Sequence, residues 1–471
     1  MVVTESFQDI FDESVRVSAL NLPKHKESGL KIEYGNSKEL KTQYSGAEPQ
    51  LPFAASEIFH ADVISWRRLT AVDKACKAVY EVTFDIKGSN FTFKPGDTIG
   101  ILPHNNKDEV DFLIHHLGVA AVADLSYELT IDSSRKATKC KIPPHIPINS
   151  TIRHVLTHCV DFRAVVKKLF LLALSRHTKD DAERKVLEFL CSKEGSAAYN
   201  THILNKNTCL LDLLANFKSC KPPIEILYQH LPRLLPRPYS IVNSSLKSPN
   251  MLKIGFSVID IGKNRKGLTT GWIEDIITNN ADSLEDSLRK LSIKDKEEVP
   301  IYLRKNINGF QLPENDVPLI LIGPGTGVSP YIGFLEELEY LRMGNKSKQA
   351  GPIWLFFGCR NPTLDFIYKE ELNGFLEKNV LSCLKTAFSR YGDYETKYVQ
   401  DAIMENGKEV VKLLKDGAKV FVCGDLKTMA TQVKDTLVNC LVKYDGNSTE
   451  EAEKNICDMQ KNKSYIIDIW N

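Results

Sequence analysis

The chain opens without a sustained apolar rhythm. Residues 1 to about 52 are polar, with scattered Gly, Ser and Pro and few aromatic residues, so a linker-like leader is expected over 1–52. At Phe53 the pattern changes. "AVYEVTFDI" alternates in part, and "FTFKPGDTIGILP" sets a Pro95-Gly96-Asp97 turn between two apolar runs, which predicts strands and the start of a β-barrel. "DEVDFLIHHLGV", "AVVKKLFLLALSRH", "DAERKVLEFLCSKEG" and "LLDLLANF" then carry apolar residues at helical spacing, predicting a mostly helical block over 105–231. Strand patterning returns in "RPYSIVNSS" from Arg237, in "MLKIGFSVIDI" and in "VPIYLRK". A polar, charge-rich stretch at about 279–299 interrupts it and is expected to be a surface excursion. The simplest account is one barrel, over 53–104 and 232–314, split by a helical insertion.

From about 316 onward strand and helix alternate. "PLILIG" precedes "SPYIGFLEELEYLR", "IWLFFG" precedes "YKEELNGFLEKN", and "KVFVCGD" precedes "KTMATQVKDTLVNCLVKY". Short β-rich runs between amphipathic helices predict a parallel, doubly wound sheet covered on both faces over 315–471. The expected fold class is therefore all-β plus α/β.

The length of 471 residues supports about three domains of this kind. Hydrophobic residues at 42% supply ample core, which excludes disorder over the whole length. Lysine and arginine total 61 against 60 acidic residues, a net charge of +1 that excludes a broad electrostatic nucleic-acid binder while leaving room for a local basic pocket. The eleven cysteines form no CxxC pair, their number is odd, and no secretory signal precedes them. Reduced thiols in a cytoplasmic protein are expected, with neither a disulfide framework nor a metal site. No apolar run approaches the roughly 18 to 20 residues of a membrane helix, so no membrane partner is expected.

Three segments could carry chemistry. In "LILIGPGTGVSPYIGF" a strand ends at Gly323, and Gly325 and Gly327 permit a sharp turn and close approach of a ligand. Ser329 is the expected N-cap and Pro330 the first helical position, and N–H groups at such a helix start attract a pyrophosphate. The other reading is a tight turn with no ligand; the GxGxG spacing also differs from the GxGxxG dinucleotide fingerprint. In "RPYSIVNSS", Arg237 offers a fork of donors for phosphate and Tyr239 a flat aromatic face. Strand alternation sets Ser240 on the opposite face, and taken alone the segment reads as structural. In "KGLTTGW", Gly267, Leu268, Thr269 and Thr270 lie where a strand gives way to a helix, a phosphate site or simply a Thr-capped helix start.

The order and spacing of the three resemble the ferredoxin–NADP reductase family, in the form found in the reductase half of diflavin enzymes. Within it the chain is most similar to the methionine synthase reductase branch, through "LCSKEGSAAY", "CLLDLLANFKSCKPPI", "HLPRLLPRPYS", "WLFFGCR" and "YIIDIW", from about residue 53 to the end. The resemblance implies an FAD-binding β-barrel with a helical connecting insertion and an NADPH-binding domain. It implies that Arg237, Tyr239 and Ser240 contact FAD, that Gly267, Leu268, Thr269 and Thr270 bind its phosphates through backbone N–H groups and the Thr270 hydroxyl, and that Gly325, Thr326 and Gly327 hold the NADPH pyrophosphate. Trp470 would stack on the flavin and move aside for nicotinamide. Cys423 would lie beside the nicotinamide with Asp425 in the same loop, and Asp468 would complete a polar set with Ser240.

A 2′-phosphate needs cationic and hydroxyl donors, and "SRYGDYETKYVQ" supplies Ser389, Arg390, Lys397, Tyr398 and Gln400 after a predicted strand. An exposed charged loop is the bland reading of the same segment. Lys397 directly precedes Tyr398, where some relatives have one residue between them, so Arg390 is expected to matter more than Lys397. The resemblance also implies an activity: NADPH reduces FAD, and electrons pass through FMN to the cobalamin of methionine synthase, in methionine biosynthesis. The family's FMN domain is not recognisable before residue 53, so the chain is expected to be a fragment, a short isoform or the partner of a separate FMN protein. The alternatives are a stand-alone NADPH diaphorase and a non-enzymatic, flavin-bound stabilising partner of methionine synthase.

Overall fold

The structure is a computed structural model that describes residues 8–17, 19–24, 28–35, 42–132, 141–262, 265–281, 297–314, 316–343, 351–392, 396–424 and 427–469. The chain forms two compact units. One contains Met1–Leu51, Pro103–Pro236 and Asp260–Thr269; the other contains Pro52–Leu102, Arg237–Ile259 and Thr270–Asn471.

The first unit is mainly helical. Its helices Lys107–Leu117, Ile152–His158, Lys168–Ser175, Asp181–Cys191, Leu210–Asn216 and Ile224–His230 share one core, with Leu113, Leu156, Phe162, Phe189, Leu211 and Tyr228 almost fully enclosed. Local chemistry sets the ends of Lys107–Leu117: Asn106 accepts from the N–H groups of Asp108 and Glu109, and Gly118 closes the helix at φ 72°. The described part of residues 1–52 departs from the expected leader. Helix Gln8–Arg16 buries Ile10 in this core, and strand Leu30–Tyr34 pairs antiparallel with Tyr127–Ile131. The signal is short because one helical turn presents Ile10 and Phe11, and the strand has only five residues. Pro147–Ser150 and Gln43–Tyr44 complete a four-stranded sheet that helical patterning did not announce.

The second unit begins with a six-stranded antiparallel sheet ordered Arg237–Ser240, Thr98–Ile101, Val299–Arg304, Phe59–Arg68, Val79–Asp85, Met251–Ser257. Its edges meet where Ile241 bridges Ile254 and the Val242 N–H donates to Lys253 O at 2.9 Å, which closes a barrel. Val82, Phe84, Ile99, Ile254 and Ile301 fill it.

A five-stranded parallel sheet follows, ordered Cys383–Phe388, Ile353–Cys359, Leu319–Ile322, Lys419–Gly424, Tyr465–Ile469. Alternate residues face opposite helical layers. Leu321, Leu355, Phe357, Phe421 and Cys423 pack in the cluster containing residues of helices Ser329–Met343 and Lys369–Glu377. Ile320, Ile322, Phe356, Val420 and Val422 pack in the cluster of Val399–Glu405, Gly407–Lys415 and Lys427–Asp445. The sheet is doubly wound, with its switch point between Leu319–Ile322 and Lys419–Gly424, where the chain turns back after building outward. Of the expected excursion at 279–299, residues 282–296 lie outside the described residues.

Candidate functional site

At the carboxyl end of Leu319–Ile322 the chain turns over a cleft of about 430 Å³. Pro324 is extended, Gly325 takes φ 56°, and Gly325–Val328 forms a short 3₁₀ helix that runs directly into helix Ser329–Met343. Ser329 is already helical at φ −52° and ψ −50°, so it is not the cap expected for it. The turn is packed to the limit on one side only. A Cβ on Gly327 would strike the backbone of Cys423, and one on Gly323 would strike the Gly327 carbonyl at 2.6 Å. A Cβ on Gly325 would meet nothing within 4 Å. Gly325 and Thr326 line the cleft; Gly327 lies behind them against the sheet.

The far wall is assembled from strand ends. Asp365 accepts from the N–H groups of Arg360 at 3.2 Å and Asn361 at 2.7 Å, turning the chain after Cys359. Ser389 N–H donates to Cys359 O and Arg390 N–H to Arg360 O, so the two strand ends stay in step. Asp401 accepts from the N–H groups of Lys397 and Tyr398, fixing the start of Val399–Glu405. Ser389, Lys397, Tyr398 and Gln400 all line the cleft. The exposed Arg390 does not, although its backbone is part of the same loop. The barrel supplies the remaining wall through Thr70, Lys77, Val79 and Ser257.

A second cavity of about 380 Å³ is lined by Tyr239, Ser240, Thr98, Arg304, Lys305 and Asp468, among others. Ser240 Oγ donates to Asp468 Oδ2 at 3.4 Å. Burial pushes the Asp468 carboxyl above the ordinary range, opposed by the Ser240 hydroxyl and the charge of Arg304. Asn306 holds the cavity floor together, since its Nδ2 donates to Asp97 Oδ1 and Phe310 O, both at 3.1 Å. Cys423 stands opposite Asp468 in the strand register but lines neither cavity. It is fully buried, and burial first, with Asp468 second, pushes its thiol well up. Alternation sends the side chain into the core, and its carbonyl abuts the glycine turn.

The segment "KGLTTGW" begins helix Leu268–Ala281. Thr270 Oγ1 accepts from Ile259 N–H at 3.3 Å, so the hydroxyl expected to serve a phosphate also ties its own loop. Thr269 Oγ1 is buried and makes no hydrogen bond, an orphaned donor of the sort that a bound group satisfies. Arg237 and Tyr239 occupy the strand paired with Thr98–Ile101, Arg237 opposite Ile101 and Tyr239 opposite Ile99. Asp425 and Trp470 lie outside the described residues.

A model of the FAD binding domain matches residues 51–272, and a model of the oxidoreductase NAD-binding domain matches residues 321–435. The chain is 36% identical to a methionine synthase reductase of Homo sapiens over 492 aligned positions, covering 100% of this chain and 69% of that protein. The chain belongs to the methionine synthase reductase family. A Bos taurus methionine synthase reductase is 37% identical over 88% of this chain and 61% of its own length. An NADPH–cytochrome P450 reductase of Musca domestica is 31% identical over 92% of this chain and 62% of its own. The chain therefore spans roughly six to seven tenths of these relatives. Its two matched domains make it an oxidoreductase built to bind FAD and a nicotinamide dinucleotide.

The residues present fit those groups. The cleft offers a glycine turn free of side chains on its open face, and cations at Lys77, Arg360 and Lys397. Arg360 and Lys77 were missed from the sequence. Arg360 stands at the end of "WLFFGCR", and its position just beyond a strand that neighbours the GPGTG strand was the available signal. Lys77 had none, being a lone lysine in a barrel loop. No helix among the described residues is long and apolar enough to cross a membrane.

Proposed function

We propose that this chain moves electrons from NADPH through FAD to a protein acceptor, and that this acceptor chain ends at the cobalamin of methionine synthase during its reductive reactivation. The observation that carries the reading is the shared cleft: barrel residues Thr70, Lys77 and Ser257 and sheet residues Gly325, Thr326 and Lys397 wall one space within a single compact unit. When bound, NADPH supplies a hydride and FAD an acceptor that can release electrons singly.

This chain's residues then have separable tasks. Backbone N–H groups of Gly325 and Thr326 receive the pyrophosphate of NADPH, while Gly327, its own N–H bonded to Pro324 O, lets the turn pack against the sheet. Ser389, Arg390, Lys397, Tyr398 and Gln400 receive the 2′-phosphate end, with Arg360 adding charge. Arg237, Tyr239 and Ser240 hold FAD, and Gly267, Leu268, Thr269 and Thr270 hold its phosphates. Ser240 and Asp468 keep a hydroxyl proton and a carboxylate in contact at the place where charge changes as hydride moves. Trp470 and Asp425 take the stacking and loop roles that the family resemblance implies.

Purified protein reconstituted with FAD should bleach anaerobically on adding NADPH. It should then restore methyl transfer by inactivated methionine synthase once an FMN protein and a methyl donor are supplied. Absence of bleaching would sink the oxidoreductase reading. Bleaching without reactivation in the full mixture would leave a diaphorase and remove methionine synthase as the acceptor.

Coenzyme choice gives a second test. Arg390→Ala and Lys397→Ala should each lower the NADPH-over-NADH preference in kcat/KM by about tenfold, the worth of one charge-assisted phosphate contact. An unchanged preference in both would place the 2′-phosphate elsewhere.

A further inference from the structure

Of the residues expected to hold FAD phosphates, Gly267, Leu268 and Thr269 belong, by their packing, to the helical unit. Asp260–Thr269 connects barrel strand Met251–Ser257 to helix Leu268–Ala281, yet it groups with the helices. Within the segment, Gly262 takes φ 75°, Asp260 bridges Lys266, and the Ile261 N–H donates to Arg265 O at 3.0 Å. The result is a small hairpin with Arg265 and Lys266 leading into Gly267.

One ion pair and one hydrogen bond from the helical unit grip this hairpin. Arg265 Nη2 pairs with Asp212 Oδ1, and its Nη1 donates to Cys209 Sγ at 3.1 Å. Asp212 is itself fixed, because its second oxygen accepts from the Cys209 N–H at 3.0 Å in a capping box at the start of Leu210–Asn216. The Arg265 and Asp212 side chains are only 11% and 4% exposed. On the other side, Arg163 Nη1 donates to Lys266 O at 2.9 Å, while its Nε donates to Glu109 Oε2 at 2.7 Å. Glu109 lies in the capped first turn of Lys107–Leu117. Arg163 therefore holds the Lys266 carbonyl directly and is itself oriented by Glu109, while Asp212 and Cys209 hold the side chain of Arg265, on the two residues before Gly267. Buried charge pairs of this kind are poor as bulk stabilisers and good at specifying one geometry.

We infer that the helical insertion serves as the template for the FAD phosphate turn, with Asp212, Arg163 and Glu109 as positioning residues that set the affinity for FAD. This rests on the FAD reading above. A backbone anion site works only if its N–H groups already converge, so releasing the hairpin adds an ordering cost to each binding event.

The test is titration of FAD into the flavin-stripped full chain. Asp212→Asn and Arg163→Gln should each raise the FAD dissociation constant about tenfold or more, as expected for loss of one charge-assisted contact. At saturating FAD, the NADPH bleaching rate should return to the parent's. Arg153→Met is the control: it breaks the pairs with Asp111 and Asp124 in the same unit without touching the hairpin, and should leave FAD affinity unchanged. Hydrogen exchange of the amides at 265–269 should quicken in the two hairpin variants and not in the control. Tight FAD binding in a folded Asp212→Asn or Arg163→Gln protein would overturn the inference. So would an equal loss in Arg153→Met, which would mark a general loosening. If Asp212→Asn does not fold, Arg163→Gln decides. A parent chain that takes up no FAD would instead refute the reading on which the inference rests.

Discussion

Gly327→Ala should cost this protein about 3 kcal/mol of stability and at least tenfold in NADPH affinity, the cost lying at the upper end of what overpacking a closed core does. The added methyl would overlap the carbonyl of Cys423, with the carbonyl carbon at 2.8 Å and Gly424 Cα at 3.1 Å. Neither can yield cheaply. The strand Lys419–Gly424 is held in register by Leu319–Ile322 on one side and Tyr465–Ile469 on the other. The turn must shift instead, carrying Gly325 and Thr326 with it. Gly325→Ala is the contrast, since its Cβ meets no atom but its φ of 56° disfavours any side chain, at about 1 kcal/mol. Thermal unfolding and NADPH titration measure both. Equal stability of the two variants would show that the close approach at Gly327 does not constrain the turn.

The second large effect concerns Asp468. Asp468→Asn should slow NADPH-driven bleaching about a hundredfold while making the protein more stable at neutral pH. The sign follows from the raised carboxyl. Burial favours the protonated form in the folded state, so the stability it contributes is fully present at acid pH, below the ordinary value. That contribution is lost as pH rises through the raised one. Asparagine keeps a neutral group in place at all pH values and avoids that loss. The rate should behave oppositely in the parent, falling as acid protonates Asp468 and removes the acceptor of the Ser240 hydroxyl. Stopped-flow rates against pH, with melting curves at the same pH values, test both halves. A flat parent profile, or an asparagine variant as fast as the parent, would remove Asp468 from the reaction.

How legible these sites were depends on how local their causes are. The GPGTG turn announces itself, because a backbone that must pass within contact of a neighbouring strand admits only glycine at Gly323 and Gly327. Barrel strands such as Met251–Ser257 are written in apolar periods of two, and the parallel sheet in short continuous apolar runs between amphipathic helices. Ser329 misled, since serine beside a helix start resembles a cap even when a 3₁₀ turn has already begun the helix. Residues 8–16 and 30–34 misled for want of length, as a single buried face of Ile10 carries too little pattern to be seen. Lys397 lines the cleft and Arg390 does not, a placing that rests on the Asp401 cap at Lys397 and the strand-end pairing at Arg390 rather than on their spacing.

By itself, then, the sequence determined the succession of barrel, helices and parallel sheet, and the glycine turn that suits a dinucleotide. Each of those rests on periodicity or on steric limits within a few residues. Only the tertiary structure decided which distant side chains meet. It brought Ser240 to Asp468, put Lys77 and Arg360 in one cleft, sent Cys423 into the core, and attached the 260–269 segment to the helical unit. Such meetings depend on how strands register and helices pack across hundreds of residues, and no window of sequence contains both partners.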